Sequence, residues 1–290
     1  MNTSTHPNSG TVNIDSFLLQ YKIEGKGLPA IVIGSVNQYP KVFSESLREH
    51  LQLIFIDHRA FVAAPKDREN ETFELDTILD DIDQIREALN LNQVIIVGHS
   101  GHSYMALEYA KKYPAHVSHV VMIAISPNLS LEHQNAAAIY WQDLASDERK
   151  AAHNAHLQQC PDDALNQLKP GERFIKEYIR NTAKFWHNFE TDAHFFWNNV
   201  TINMVILNHL WRDTFRTIDL TQGLADFNKP IFLAVGLYDF ALAPFTAWYR
   251  IRDKFKHLDL FVFEKSAHLP QWEEADLFDE RLLNWLSDNS

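Results

Sequence analysis

Three residues of this 290-residue chain have the types that nucleophilic acyl chemistry needs. Ser100 lies in VIIVGHSGHSYMALEYAKKYP, where an apolar run ending at Gly98 passes directly into a helical pattern. A sharp strand-to-helix turn there would project its hydroxyl from the edge of a sheet. The helix N-terminus beyond it offers unpaired N–H groups and a field that favours developing negative charge. The plain alternative is a serine that only caps its helix. A hydroxyl is a weak nucleophile until a base takes its proton, and the base needs a group to orient it. His268, in FEKSAHLPQWEE, follows the last apolar strand-like run and so falls on the same edge as Ser100. His257 precedes that run and falls on the opposite edge. Asp239, in IFLAVGLYDFALAP, follows the run before it and could accept a hydrogen bond from His268; the alternative is an Asx turn or helix cap. The stretch IAISPNLS, after the preceding run, holds no carboxylate, which favours Asp239 as the acid.

Other chemistries are poorly served. His99 and His102 are three apart, but no nearby acid or cysteine completes a metal-ligand set, and no metal or cofactor is expected. The phosphate-loop pattern GxxxxGK[ST] is absent. A net charge of −12 with no offsetting basic stripe makes nucleic acid and anionic membranes poor partners. The single cysteine, Cys160, cannot close an intrachain disulfide. The opening MNTSTHPNSG has neither the basic nor the apolar segment of a signal peptide, and no apolar run is long enough to span a membrane. A cytoplasmic protein is expected, with its oligomeric state left open. Glycosylation patterns at Asn2 and Asn199 therefore read as chance matches.

The elements that must position these residues alternate. VNIDSFLLQYKI reads as a hairpin or edge strand. Ala30–Gly34, Leu53–Asp57, Val94–Gly98 and Val117–Ile125 are continuous apolar runs of buried-strand length. Helical periodicity lies between them, at 41–50, 76–90 and from Ser100 to Lys112. This rhythm predicts an α/β fold, a mostly parallel sheet flanked by helices. It stops from 128 to 223, where the chain is helical in character and rich in His, Asn, Gln and aromatics. It resumes with Ile231–Gly236, a helical segment at 244–255, Leu260–Glu264 and a C-terminal amphipathic helix. The expected organisation is a core from residues 1–127 and 224–290, with a helical cap at 128–223 inserted after the sixth strand.

With these pieces in place, the chain resembles the α/β-hydrolase fold superfamily in its serine-nucleophile branch. It looks most similar to cap-bearing members of the proline-iminopeptidase-like group. The matching segments are VIGS at 32–35, FIDHR at 55–59, VGHSGHSYMALEYAKKYP at 97–114, AVGLYD at 234–239 and SAHLP at 266–270. The resemblance implies Ser100 as nucleophile, Asp239 as acid and His268 as base. It also implies an oxyanion hole from the backbone N–H groups of Gly101 and Ser35. Arg59, in a D-x-R turn, is implied to be scaffold. Two departures stand out. The fifth position of the Gly-x-Ser-x-Gly elbow is His102, and the HGGPG and GGSWG signatures of proline iminopeptidases are absent.

Substrate choice should lie in the cap. The chain has 19 Phe, 7 Trp and 9 Tyr, and the densest run is FWHNFETDAHFFW at 185–197. Folded over Ser100, such a run would roof a pocket for an apolar group. Candidate lining residues are His102, Phe185, Trp186, Phe189, Phe196 and Trp197, with Glu190 as an anchor for a substrate amine. The alternative is that the rings only pack the cap onto the core. The expected activity is hydrolysis of a small, largely apolar carboxylic ester. An aminopeptidase or other amide hydrolase, or a lyase using the same three residues, is the alternative.

Overall fold

The computed structural model describes residues 7–290; Asn2 lies outside them. Eight strands form one sheet in the order β1-β2-β4-β3-β5-β6-β7-β8. They are β1 (Ser9–Ile14), β2 (Phe17–Gly25), β3 (Leu28–Gly34), β4 (Leu51–Asp57), β5 (Val94–His99), β6 (Val117–Ile123), β7 (Ile231–Gly236) and β8 (Leu258–Phe263). The β1–β2 and β2–β4 pairs are antiparallel and the remaining pairs are parallel. Asp15 and Ser16 turn the first hairpin with φ of 54° and 70°, the left-handed pair that matches strand twist in a two-residue turn.

Every residue of β5 and β7 is buried. That burial is what a strand covered on both faces requires, and it explains their uninterrupted apolar composition. The covering helices include α1 (Leu75–Ala88) and α2 (His102–Lys112). Between β6 and β7 the chain runs through α3 (Leu131–Leu144), α4 (Asp147–Gln159), α5 (Asp162–Leu165), α6 (Pro170–Arg180), α7 (Thr182–Phe185), α8 (His194–Trp197), α9 (Met204–Asn208) and α10 (Phe215–Thr217). A π-helical segment, His209–Thr214, joins the last two. The C-terminus adds α11 (Pro270–Glu273) and α12 (Ala275–Asp288). No helix among the described residues is long and apolar enough to cross a membrane.

Two helices read from periodicity are not α-helices. Residues 41–50 fold as short 3-10 turns, Tyr39–Lys41 and Leu47–Glu49. The buried Arg48 guanidinium donates to the carbonyls of Pro40, Phe43 and Ser44 at 2.6–2.8 Å, taking up acceptors that an α-helix would pair. Residues 244–255 are likewise 3-10 turns, Phe245–Arg250 and Arg252–Lys254, entered through Pro244.

Candidate active site

Parallel strands bring their carboxyl ends to one edge, and the loops leaving that edge build the site. Ser100 follows β5 with φ of 55°, a left-handed conformation in which its N–H donates to the Ile123 carbonyl at 2.8 Å. The closest approach of strand and helix is at Gly98, where a Cβ would lie 2.2 Å from the His102 carbonyl oxygen. Gly101 is equally confined, since a Cβ there would sit 2.4 Å from the Trp211 ring. The fifth elbow position needs no glycine. The His102 ring packs edge-on against Tyr39, His58 and Trp211 and stays 3% exposed.

Asp239 lies in the loop after β7 and His268 in the loop after β8. Asp239 Oδ2 accepts from His268 Nδ1 at 2.7 Å, with both residues buried. This bond directs His268 Nε2 away from the acid. Ser100 and His268 line the same cavity, and no hydrogen bond between them is recorded among the described residues. Such contacts commonly tighten only when substrate arrives. Beyond β3, Gly34 has φ of 153° and the Tyr39 ring folds against it. The Ser35 carbonyl accepts from the N–H groups of Gln38 and Tyr39, both at 3.1 Å, while Val36 N–H donates to Asp57 Oδ1 at 2.9 Å. Burial pushes Asp57 up to about 7, against the opposing pull of the backbone donors of Val36 and Gln20.

The insertion is stitched to these loops by its segment 183–187. His268 N–H donates to the Phe185 carbonyl at 2.9 Å, and Phe240 N–H to the Lys184 carbonyl at 3.1 Å. His187 N–H donates to Glu273 Oε1 at 2.5 Å. Burial raises Glu273 to about 7, although it accepts from several backbone N–H groups. Arg149 of α4 closes the assembly from behind, donating to the carbonyls of Ala183, Trp186 and His187 at 2.6–2.8 Å.

The cavity over Ser100 has a volume of about 320 Å³. His102, Phe185, Phe196 and Trp197 line it; Trp186, Phe189 and Glu190 do not. Trp186 is fully buried against Phe195 and Trp272. Phe189 lies over the Arg149 guanidinium, 4.9 Å from its carbon. Glu190 is exposed and borders a separate surface groove. These three therefore belong to the anchoring and outer surface of the insertion. Arg59 is buried and pairs with Asp81, Nη2 to Oδ1 at 2.8 Å.

Trp211, which follows the aromatic run, also lines the cavity, and sequence reasoning missed Gln38, Tyr39 and Tyr178, which line it too. Gln38 is 2% exposed, and no hydrogen bond of its side-chain amide is recorded among the described residues. It also missed that His99 and His102 join Tyr39 and His58 in one buried hydrogen-bonded array. Their three-residue spacing was the available signal.

Comparison with known proteins agrees with this architecture. Residues 26–275 match the family model described as alpha/beta hydrolase fold. The chain is 38% identical over 278 residues to the AB hydrolase superfamily protein YclE of Bacillus subtilis, covering 96% of this chain and 98% of that one. It is 26% identical to a proline iminopeptidase of Heyndrickxia coagulans, over 87% and 88% of the two chains. Among solved structures, an esterase from Exiguobacterium antarcticum superposes with a TM-score of 0.67 at 19% identity, covering 96% and 99% of the chains.

Proposed function

Given that this chain belongs to the alpha/beta hydrolase fold family, we propose that it is a serine hydrolase of small, largely apolar carboxylic esters. The observation that carries this reading is the ring-lined cavity over Ser100, with His268 at its wall and hydrogen-bonded behind to Asp239. Its volume lies at the low end for small-molecule sites, which suits a short acyl or alcohol group. Gln38 and Tyr178 are polar side chains of the cavity wall that a substrate oxygen or N–H would meet, the Tyr178 hydroxyl being buried with no hydrogen-bond partner among the described residues.

In this mechanism Ser100 Oγ attacks the ester carbonyl carbon while His268 Nε2 takes its proton. The oxygen becomes an oxyanion and is met by the N–H groups of Gly101 and Ser35. One such donor is worth about 3 kcal/mol in the transition state of comparable enzymes. Collapse breaks the bond to the leaving alcohol, which takes the proton from His268. Water, deprotonated by His268, then attacks the acyl-enzyme, and Ser100 leaves with the proton returned. Asp239 holds the imidazole in the tautomer with Nδ1–H throughout.

An aminopeptidase is the second reading, favoured by the 26%-identical proline iminopeptidase and by Glu177, which lines the cavity. Glu177 Oε1 already accepts from Arg173 Nε at 2.8 Å, which weakens it as an ammonium anchor. Turnover of p-nitrophenyl acyl esters of rising chain length, beside prolyl and leucyl p-nitroanilides, separates the two. Esters should lead, with kcat/KM rising about fourfold per methylene until the cavity is full. A p-nitroanilide turned over faster than every ester would replace the ester reading with the aminopeptidase one.

A further inference from the structure

Beneath Ser100 an unbroken line of hydrogen bonds runs through three histidines and a tyrosine, and its ends fix its direction. His99 Nε2 lies 2.7 Å from the carbonyl oxygen of His268. A carbonyl only accepts, so neutral His99 carries its proton on Nε2 and leaves Nδ1 bare. Tyr39 Oη is 3.1 Å from that Nδ1 and donates to it. Its one proton is then in use, so Tyr39 Oη accepts from His102 Nδ1 at 2.9 Å. The His99 carbonyl, 3.1 Å from the same His102 nitrogen, independently requires a proton there. His102 Nε2 is therefore bare and accepts from His58 Nε2 at 3.0 Å. His58 Nδ1 accepts in turn from Ala60 N–H at 3.4 Å. Between a backbone donor and a backbone acceptor, every proton has one assignment.

A proton added to any of the three rings breaks the line. A second N–H on His99 would point at Tyr39 Oη and strand the phenol proton. One on His102 would face the N–H of His58, and one on His58 would face Ala60 N–H. The rings are 1–3% exposed, and burial pulls all three well below the ordinary histidine range, His58 to about 3.

We propose that this line is a positioning device for His268. His268 is held at three points: its ring by Asp239, its backbone N–H by Phe185 of the insertion, and its backbone carbonyl by His99. The third hold runs back through the pocket floor to both neighbours of the Ser100 turn. Tyr39, His58, His99 and His102 are thus positioning residues, and histidine at position 102 joins the Tyr39 half of the line to the His58 half. The kinetic consequence rests on the serine-hydrolase reading; the proton assignment does not.

Two measurements on the full chain test this. Long-range nitrogen–proton NMR of the imidazoles should show Nε2–H for His58 and His99 and Nδ1–H for His102. An imidazolium among them near neutral pH, or His102 protonated on Nε2, overturns the line. The second measurement is the rate at which a fluorophosphonate modifies Ser100. Tyr39→Phe keeps the ring packed on Gly34 and removes only the shared oxygen, leaving His99 Nδ1 without a donor. The rate should fall about tenfold or more, as small displacements of a catalytic group do, with the melting temperature within a few degrees of wild type. His102→Ala should lose as much, and His102→Asn, whose amide N–H can replace Nδ1–H, should recover part of it. Equal rates in wild type, Tyr39→Phe and His102→Ala would overturn the positioning role. A wild-type protein that never reacts at Ser100 would instead refute the hydrolase reading, and the NMR assignment would still decide the line.

Discussion

Arg149 is the perturbation with the longest reach. It is 5% exposed, and among the described residues no carboxylate lies within ion-pair distance of it. Its guanidinium instead serves the carbonyls of Ala183, Trp186 and His187 and lies within 6 Å of the ring centres of Phe189, Tyr238 and Phe240. Replacing it with Met keeps much of the apolar stem and leaves three carbonyls without their donor. Hydrogen bonds to a charged group contribute about 1.5–3 kcal/mol each, but the substitution also removes the desolvation cost of the cation, so a net loss of about 3 kcal/mol is expected. At about 2–3 °C per kcal/mol for a chain of this size, the melting temperature should drop by about 6–9 °C. The effect should reach catalysis, because the segment so loosened carries the carbonyls that hold His268 and Phe240. Below the transition, kcat on a p-nitrophenyl ester should fall by about tenfold to a hundredfold with KM little changed. Arg149→Lys, able to reach fewer carbonyls, should fall between. A Met variant that melts with wild type and turns over at the wild-type rate would refute the stitching argument.

Three further outcomes follow from the same geometry. Asp239→Asn should lower kcat by about 10⁴-fold, the loss known where an amide forces the wrong imidazole tautomer; steady-state turnover with retained kcat would remove Asp239 from the mechanism. Burial raises Asp57 from 3.8 to about 7, so the folded protein binds its proton more tightly than the unfolded chain does. That contribution to stability is full below about pH 4 and is lost as pH climbs through about 7. Melts at about pH 5 and pH 8 should show a larger loss in wild type than in Asp57→Asn, and the opposite order would reject the shift. Asp81→Ala strands the buried Arg59 cation, with only the partly exposed Asp15 left beside it, and should cost about 3 kcal/mol in denaturant unfolding; a loss below about 1 kcal/mol would show the pair to be dispensable.

The parts of the fold legible in the sequence were those whose physics is local. The runs at Ala30–Gly34, Leu53–Asp57 and Val94–Gly98 leave no face polar for solvent and are too short for a typical helix, which points to buried strands. Once those strands are parallel, residues just beyond them share an edge, which is why Ser100, Asp239 and His268 could be named together. At 41–50 the spacing of Val42, Phe43 and Leu47 imitates a helix. What decides the structure there is the Arg48 side chain, which takes three carbonyls into its own hydrogen bonds. The aromatic run at 185–197 failed differently. Its helices α7 and α8 are only four residues each, joined by non-helical chain, so no single period tells which rings face inward. Phe185 and Phe196 reach the cavity, while Trp186 and Phe189 face the anchoring side. The histidine array was hidden because its members sit at or beyond the ends of three separate strands, β3, β4 and β5, and meet only when the sheet forms.

The most direct test of the account is intact-mass analysis after exposure to a fluorophosphonate, read beside ester turnover by the same preparations. The account predicts one adduct on the wild-type chain, mapped by peptide sequencing to Ser100, with both adduct and ester turnover absent in Ser100→Ala. Full ester turnover surviving in Ser100→Ala, or an adduct on another residue with Ser100 untouched, would contradict it.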